Sequence, residues 1–378
     1  MKKDWTYKKL GECLSYIKNG ANIKQTKGAS GIPITRIETL SGGVFNRDRL
    51  GYADITDSSK YESYYLETGD LLMSHINSKT YIGRTVMYIQ ENAEKIIHGM
   101  NLLKLKVIKE IIEPAYLCYY CKSEKFKNDI VKIRKDAVNQ SSICISDLVH
   151  FSIPIPPLSI QRSIVAELDL LHSVISKKKE QLRELDNLAQ SLFYQMFGDP
   201  ITNPMGWEVK KLGEVAENCD FMRKPITASD RIPGNIPYYG ASGIVDYVRD
   251  YIFDGDYLLV SEDGANLLAR STPIAFSISG KNWVNNHAHV LKFQESSTQL
   301  YVQTLINLID ISDIVTGAVQ PKLNQAQLNK FPLPLPPLSL QQSFAAKVCT
   351  IEAQKQAITL SIKETEALLA QRMDTYFS

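Results

Sequence analysis

Trp5-Thr-Tyr-Lys-Lys-Leu-Gly-Glu12 recurs further along the chain as Trp207-Glu-Val-Lys-Lys-Leu-Gly-Glu214. A second stretch, Ile153-Pro-Ile-Pro-Pro-Leu-Ser-Ile-Gln161, recurs as Leu333-Pro-Leu-Pro-Pro-Leu-Ser-Leu-Gln341. The spacing of this second pair continues to align similar residues over about 60 positions, as far as Phe197 and Phe377. The chain therefore contains an internal repeat.

The repeated stretches enclose two segments, roughly 5–152 and 207–332, which share almost no sequence between their matching ends. The first segment is about 20 residues longer than the second. The frame is duplicated while its contents differ. This pattern predicts two globular lobes that recognise two different targets at a fixed separation.

A long helix is predicted after each proline-rich turn. Ser159 is expected to cap the first helix, which would run to about Phe197. Apolar residues then follow a period of 3.5, which is typical of a coiled-coil seam. They occupy positions 164, 168, 171, 175, 182, 185, 189, 192 and 196 in the first copy, and 344, 348, 351, 358, 362 and 369 in the second. Two such seams most simply pack against each other.

The proline-rich turns are expected to be stiff connections from the lobes into the helices, because proline fixes φ and donates no hydrogen bond. A PxxP ligand is the alternative, but the duplication before a helix favours the structural role. Residues 198–206 have the Gly, Pro and Asn content of a linker.

Composition places the chain among ordinary globular proteins. It has 378 residues, of which 44% are hydrophobic and 22% charged, and it lacks an apolar stretch long enough to span a membrane. Its start lacks the apolar region of a signal peptide, so we expect a cytoplasmic protein. The six cysteines are sparse, which predicts reduced thiols, and Cys118-Tyr-Tyr-Cys121 lacks a second ligand pair for zinc.

The net charge of +2 is unevenly distributed. Residues 1–150 carry 23 Lys and Arg against 17 Asp and Glu, whereas residues 207–332 carry 11 against 14. A protein that binds nucleic acid without sequence preference is usually more basic. If this chain binds DNA, it makes few phosphate contacts or a partner supplies positive charge.

Sequence motifs give no indication of catalysis. Asp199-Pro-Ile-Thr and Asn203-Pro-Met-Gly lack the second proline and the aromatic residue that adenine methyltransferases use, and no phosphate-binding glycine loop is present. Asp199 with Glu208-Val-Lys210 imitates a nuclease pattern that is common by chance. His287 and His289 alternate on one strand face, but without a third ligand nearby we expect hydrogen bonding or DNA contact rather than metal binding. We therefore predict that the chain is not an enzyme and has no cofactor.

The chain resembles the specificity subunits of type I restriction-modification systems. The resemblance rests on the two Trp-led openings, on Gln320-Pro-Lys-Leu323 and Phe331-Pro-Leu-Pro-Leu-Pro-Pro-Leu338, and on the helix after each turn. In the second lobe it extends to four further strings, Pro237-Tyr-Tyr-Gly-Ala-Ser-Gly243, Phe253-Asp-Gly255, Glu262-Asp-Gly-Ala-Asn266 and Trp283-Val-Asn-Asn-His-Ala-His289. The first lobe departs from the pattern, because Gln140-Ser-Ser-Ile143 lacks the Pro-Lys pair.

The resemblance implies an α+β fold in which two long antiparallel coiled-coil helices separate two target-recognition domains. These domains would be residues 1–152 and 207–332, and residues 153–206 and 333–378 would contain the proline turns, the spacer helices and the linker. Each domain would read one half of a bipartite double-stranded DNA sequence. Two modification subunits would methylate one adenine in each half with S-adenosylmethionine, and ATP-driven restriction subunits would join them.

Candidate DNA contacts follow from the side chains that base edges and phosphates prefer. In the second lobe they are Arg223, Lys224, Tyr239, Ser242, Asn266, Arg270, Lys281, Asn285 and His287. The acidic Glu262 and Asp263 would either accept from cytosine amino groups or, more commonly, hold a neighbouring arginine. In the first lobe the candidates are Lys24, Lys27, Arg36, Asn46, Arg47, Arg49, Lys79, Arg84 and Asn139.

Three alternatives remain open at this point. A self-contained methyltransferase or nuclease would act without partners. A duplicated protein-interaction scaffold would have no DNA role. A specificity subunit could also serve a fused methyltransferase-nuclease. The low net charge further predicts weak, poorly selective DNA binding by the isolated chain.

Overall fold

The computed structural model describes residues 5–26, 31–53, 55, 57, 59–138, 140–317 and 320–378. The chain divides into two compact units. Unit 1 comprises Met1–Lys177 and Ser361–Ser378, and unit 2 comprises Lys178–Leu360. Each unit thus contains one lobe and a part of each long helix.

The described part of the first lobe contains twelve strands, three short α-helices and four 3-10 helices. The strands are β1 (Thr6–Lys9), β2 (Leu14–Asn19), β3 (Gln25–Thr26), β4 (Ile32–Ile34), β5 (Gly51–Ala53), β6 (Leu71–Ser74), β7 (Ile76–Asn77), β8 (Thr85–Met87), β9 (Leu102–Val107), β10 (Lys135–Asp136), β11 (Ser141–Ser142) and β12 (Ser152–Ile155). The helices are α1 (Pro114–Tyr120), α2 (Glu124–Ile133) and α3 (Ile145–Leu148), with 3-10 helices at Leu10–Cys13, Ile37–Gly43, Arg47–Arg49 and Ser59–Tyr64. The first long helix, α4 (Leu158–Phe197), follows.

The described part of the second lobe is built similarly and ends in the second long helix. Its strands are β13 (Glu208–Lys211), β14 (Glu217–Asn218), β15 (Pro233–Gly240), β16 (Gly243–Val248), β17 (Phe253–Asp254), β18 (Tyr257–Ser261), β19 (Ala275–Ile278), β20 (Lys281–Val284), β21 (Ala288–Lys292) and β22 (Pro332–Leu335). Its helices are α5 (Leu212–Val215), α6 (Asn266–Ala269), α7 (Ser296–Leu308), α8 (Gln325–Lys330) and α9 (Leu338–Phe377), with 3-10 helices at Asp220–Met222, Ala228–Asp230 and Ser312–Ile314.

The repeated stretches form the same structure in both units. The Trp-led opening and the proline-rich turn pair as two antiparallel strands, β1 with β12 and β13 with β22. The turn then ends on a glutamine, and the side-chain amides of Gln161 and Gln341 donate to the carbonyls of Pro156 and Pro336 at 2.8 and 2.7 Å. The prolines can lie in these strands because a two-stranded sheet leaves one side of each strand unpaired. Their structural role is therefore confirmed.

The two long helices have 40 residues each. The first begins one residue earlier than predicted, and the Pro157 carbonyl accepts from the amide of Gln161. Pro157 therefore precedes the helix and Ser159 lies inside its first turn, so the predicted serine cap is wrong. A proline just before the helix has no amide hydrogen for which a cap would be needed.

The predicted seams are confirmed by the burial pattern. Every predicted seam position from 164 to 196 and from 344 to 369 is buried or half-buried, while most of the intervening residues are exposed. In unit 2, Asp186 binds Lys355 at 2.7 Å and the Phe193 ring lies 5.8 Å from the Phe344 ring. One helix therefore ascends in sequence as the other descends, which confirms their antiparallel pairing within this unit.

The same pairing occurs in unit 1, between the beginning of α4 and the end of α9. Arg372 binds Glu167 at 2.9 Å, and the hydroxyl of Tyr376 donates to the same carboxylate at 2.5 Å. The Phe377 ring then packs 5.3 Å from the Tyr116 ring of the lobe. The end of the chain is therefore part of the unit 1 core.

The lobes share a sheet that their sequences do not reveal. Unit 1 has the antiparallel strand order β2-β9-β6-β8, and unit 2 has β14-β21-β18-β19. In both sheets the first strand follows the Leu-Gly-Glu turn, and the central strand, β6 or β18, is completely buried. The registers match as well, because Ser74 faces Leu102 and Ser261 faces Ala288. The contents of the frame are therefore related in fold.

The remaining sheets differ between the lobes. Unit 2 adds a four-stranded sheet of order β16-β15-β20-β17, whereas unit 1 adds two three-stranded sheets, β3-β5-β4 and β10-β11-β7. Residues 198–206 form an ordered turn in which the Trp207 indole donates to the Phe197 carbonyl at 2.9 Å. All six cysteines are free, and no helix of the described residues is long and apolar enough to cross a membrane.

Candidate nucleic-acid interface

Four loops of unit 2 meet at one end of the shared sheet, where β18 ends and β21 begins. They are Gly240–Gly243, Glu262–Gly264, Asn285–His287 and Gln320–Leu323, and we call them the unit 2 loop cluster. The Ser261 hydroxyl donates to the Ala241 carbonyl at 2.5 Å, and the Glu262 amide donates to the His287 carbonyl at 2.9 Å. The Leu323 amide donates to the Glu262 carbonyl at 2.8 Å. The motifs that carry the sequence resemblance thus lie side by side.

Glu262 is the centre of a charged network beneath this cluster. Its carboxylate accepts from Arg223 at 2.5 Å and binds Lys322 at 3.0 Å. Burial raises the pKa of Glu262, but the hydrogen bonds from Arg223 and Lys322 outweigh burial and hold this pKa below its usual value. Of the two roles predicted for this acidic residue, the structure confirms that it holds a neighbouring arginine.

His289 connects the network to the protein core. Its Nδ1 atom lies 2.6 Å from Asp220 and its Nε2 atom lies 2.8 Å from the Leu323 carbonyl. Both partners are acceptors when Asp220 is ionised, so the doubly protonated imidazolium satisfies them both. Burial raises the pKa of Asp220, but the hydrogen bond and charge of His289 outweigh it and lower the pKa.

The expectation that the histidines have no third ligand nearby is wrong. Asp220, Glu262 and His289 each place a possible ligand atom within 4.8 Å of the others. The sequence hides this grouping because Asp220 is 69 residues away from His289. Arg223 and Lys322 nevertheless bind these carboxylates directly, so side chains of the protein already supply the compensating positive charge.

His287 lies at the exposed side of the same cluster. Its Nδ1 atom is 2.8 Å from Asp263, and the His287 side chain is 48% exposed. The orienting hydrogen bond expected for this histidine is therefore confirmed. Lys322 is exposed as well. The site prediction missed it, although the Gln320-Pro-Lys-Leu323 motif marks its position.

Several predicted contact residues of the second lobe lie in or beside the cluster. Lys224 and Ser242 are exposed, and the Lys224 carbonyl accepts from the Trp283 indole at 2.6 Å. Arg223 is largely buried in the network, and Asn285 is buried and accepts from the His287 amide at 2.8 Å. Tyr239 is half-buried, with its ring 6.0 Å from that of Phe276.

Three other predicted contact residues lie outside the cluster. The Asn266 side chain holds a turn through Ser271 and Thr272. Arg270 caps the end of α7 by donating to the carbonyls of Ile306 and Ile309 at 3.1 and 2.8 Å. Lys281 lies 4.5 Å from the centre of the Tyr251 ring. Each of these side chains has a partner within the lobe.

Unit 1 has an equivalent loop cluster with different side chains. The Ile143 amide donates to the His75 carbonyl at 3.0 Å, just as Leu323 does to Glu262. His75 therefore occupies the position of Glu262, and Ser142 occupies that of Lys322. This equivalence explains why the first lobe lacks the Pro-Lys pair: no carboxylate follows its central strand. His75 is buried, and burial lowers its pKa.

The predicted contact residues of the first lobe fall into two regions. Arg36, Asn46, Arg47 and Arg49 lie close together in sequence. Arg47 is bound to Glu94 at 2.6 Å and to Glu91 at 2.9 Å, and Asn46 caps the turn around Asp48. Arg36 binds Glu38 at 3.6 Å, and Arg49 is exposed.

Lys79 and Arg84 line one groove of unit 1. Lys79 binds Asp136 at 3.2 Å, and the Arg84 guanidinium lies 4.2 Å from the centre of the Tyr81 ring. Lys24 is exposed. Lys27 and Asn139 lie outside the described residues.

Comparison with known proteins agrees with this duplicated arrangement. The family model described as type I restriction modification DNA specificity domain matches residues 2–187 and 204–365. A putative type I restriction enzyme MjaX specificity subunit from Methanocaldococcus jannaschii is 28% identical over 389 residues, which cover 97% of this chain and 90% of that protein. A putative type I specificity subunit, S.HindORF215P of Haemophilus influenzae, is 39% identical over 134 residues, or 35% of this chain and 34% of that protein.

Solved structures agree on the fold. The type I restriction-modification S subunit from M. genitalium matches with a TM-score of 0.57 at 14% identity, covering 99% of this chain and 96% of that one. A chain from a structural study of type I R-M complex assembly and conformational transition matches with a TM-score of 0.59 at 17% identity, covering 99% and 97%.

These matches define a two-lobed protein made of repeated specificity domains. The chain belongs to the type I restriction modification DNA specificity domain family, and it carries two copies of the domain.

Proposed function

We propose that this chain is the DNA-reading subunit of a type I restriction-modification complex, and that each lobe reads one half of a bipartite sequence. The supporting observation is that equivalent loop clusters follow the central strand of the same sheet in both lobes but carry different side chains. A shared scaffold with different loop chemistry is what two independent base-reading surfaces require.

In unit 2, the exposed members of the loop cluster are the residues proposed to face DNA. They are Lys224, Ser242, His287 and Lys322, to which Tyr239 adds an aromatic edge. Arg223 and Asn285 act as positioning residues, because their polar atoms hold the loops. Asn266, Arg270 and Lys281 remain proposed contacts, as do Lys24, Arg36, Arg47, Arg49, Lys79 and Arg84 in unit 1.

The chain is proposed to perform no chemistry itself. The ionisable groups of the unit 2 cluster are bound to one another, and none is placed as a free nucleophile or base. Two DNA adenine methyltransferase subunits would dock on the repeated frame, and restriction subunits would supply translocation and cleavage. We place the complex in the cytoplasm and the lobe boundaries at residues 1–152 and 207–332.

Sequencing of DNA methylation tests the proposal. Cells that express the partner methyltransferase, with or without this chain, are compared by long-read sequencing. We expect a two-part adenine motif with an unspecified spacer only when the chain is present. Replacement of residues 207–332 by those of another family member should change one half of the motif and leave the other intact. If no methylation depends on the chain, a protein scaffold without a DNA role becomes the better explanation.

A further inference from the structure

A groove of about 850 Å³ crosses the surface of unit 1. Its floor contains the buried side chains of Phe126 and Ile130, and one wall is α2. The opposite wall comprises residues 79–85 and the glycine pair Gly42 and Gly43. Ile130 packs so closely on Gly83 that a Cβ atom there would lie 3.0 Å from it. The groove is therefore a packed feature of the lobe.

Positive charge lines this groove without negative charge. Its walls carry five cations, and no carboxylate is among the described residues that line it; the cations are Lys79, Arg84, Lys122, Lys127 and Arg134. Asp136 and Glu124 bind some of these cations from outside the groove. Such a surface attracts an anionic ligand.

The spacing of the cations suits a polyanion better than a single small anion. Lys127 and Arg134 are separated by seven residues on α2, or about 10 Å at 1.5 Å per residue. Phosphates of one DNA strand advance by about 3.4 Å along the duplex axis, so this distance spans about three of them.

The groove is also continuous with the loop cluster of unit 1. Asp136 binds Lys79 at 3.2 Å and Arg134 at 2.7 Å, and it accepts from the Ser141 hydroxyl at 2.6 Å. Ser141 adjoins Ser142, the counterpart of Lys322. A duplex read by that cluster would therefore have its backbone next to the groove wall.

We propose that this groove binds the sugar-phosphate backbone of the DNA whose bases the first lobe reads. The proposal rests on the DNA-reading function proposed above, and it adds Lys122, Lys127 and Arg134 to the DNA-binding surface. These residues contribute affinity without sequence preference, because phosphates carry no base information.

The test compares two triple variants in the complete complex with its modification subunits. Lys79→Gln, Lys122→Gln and Lys127→Gln remove three charges from the groove. Lys60→Gln, Lys109→Gln and Lys132→Gln remove three exposed charges elsewhere in unit 1. Binding is measured from 50 to 200 mM salt on a duplex containing the motif found by methylation sequencing and on an unrelated duplex. Thermal unfolding and co-purification of the modification subunits are recorded for each variant.

Each phosphate contact adds about 0.9 to the slope of log affinity against log salt. Three lost contacts therefore mean that the groove variant loses about 40-fold less affinity than the unmodified complex over this salt range. We expect weaker binding to both duplexes, an unchanged methylation motif and a normal salt slope for the control variant.

Three results would overturn the assignment. The groove variant could keep the slope of the unmodified complex, or the control could change as much as the groove variant. A folded groove variant that no longer binds the modification subunits would assign the groove to a protein interface. If the unmodified complex writes no motif, the DNA-reading function itself fails, whereas a normal motif with an unchanged slope rejects the groove alone.

Discussion

The two loop clusters solve the same structural problem with different chemistry. In unit 2 the residue after the central strand is Glu262, and it is neutralised by Arg223 and Lys322. In unit 1 the equivalent residue is the buried His75, and the residue facing it across the loop is Ser142. A carboxylate requires a cation next to it, whereas a neutral imidazole does not. The two positions therefore have to change together.

The largest expected effect comes from placing the unit 2 carboxylate in unit 1. His75→Glu would bury a carboxylate without a cation, which should cost about 3–5 kcal/mol of unfolding free energy. Adding Ser142→Lys should restore at least about 1 kcal/mol by supplying the missing partner. Urea unfolding of the single and double variants measures both values. Ser142→Lys alone is the control, and equal losses in the single and double variants would contradict the coupling.

Removing the carboxylate from unit 2 tests the converse. Glu262→Ala leaves Arg223 largely buried with one carboxylate partner fewer, and we expect a loss of about 3 kcal/mol. Hydrogen-exchange mass spectrometry should show faster exchange in peptides around residues 285–290 and 320–325, while unit 1 is unchanged. Glu208→Ala, at an exposed position, serves as the control. A uniform change over both units would show that the network is not local to the second lobe.

The two lobes should respond to acid in different pH windows. Burial lowers the pKa of His98 to about 4, so its neutral form stabilises unit 1 above about pH 6.5, and this contribution of about 3 kcal/mol disappears as the pH falls from 6.5 to 4. His75 acts in the same direction. Asp70, whose pKa is raised by burial, destabilises unit 1 at neutral pH and partly offsets the loss on acidification.

Unit 2 should respond only at lower pH. The pKa values of Asp220 and Glu262 are lowered, so these groups stabilise the lobe above the pKa of the unfolded carboxyl groups, near 4, and lose this effect as the pH falls further. Hydrogen exchange of peptides from each unit, corrected for the intrinsic rate at each pH, separates the two windows. His98→Gln should abolish much of the change between pH 6.5 and 4 in unit 1 alone, and simultaneous loss of both units would refute the difference.

The smallest effect is expected for Lys322→Ser, which gives unit 2 the residue found in unit 1. The Lys322 side chain is 52% exposed, so its ion pair with Glu262 should contribute less than about 1 kcal/mol. Chemical denaturation of this variant beside Glu262→Ala and the double variant gives their coupling energy. In the methylation assay the same change should weaken or alter only the half of the motif read by the second lobe. A change in the other half would reverse the proposed assignment of lobes to half-sites.

The sequence predicts the frame well because repeated residues and repeated contacts coincide there. The helices, their seams and the strand pairing around the prolines depend on local patterns, such as an apolar residue every three or four positions. The serine cap failed because a proline before a helix removes the need for it. Neither failure nor success there depends on distant residues.

The shared sheet and the network around Glu262 could not be predicted in this way. Backbone hydrogen bonds fix the register of β6 on β9 and of β18 on β21, and many apolar sequences satisfy it, so the lobes retained topology without identity. Asp220, Glu262 and His289 meet only after the sheet has formed. Similarly, nothing in the local sequence shows that Arg47 is bound by Glu91 and Glu94, or that Arg270 caps a distant helix.

The pairing of β1 with β12, and of β13 with β22, has a consequence for exchange of whole lobes. The chain enters and leaves each lobe through neighbouring strands, which lie about 4.8 Å apart. A foreign segment of any length whose own ends are close can replace the contents without moving the helices, because closing a longer loop costs little additional entropy. Each lobe is thus a cassette with standard ends. Recombination at the repeated stretches would produce a new pairing of half-sites in a single step, without a new scaffold.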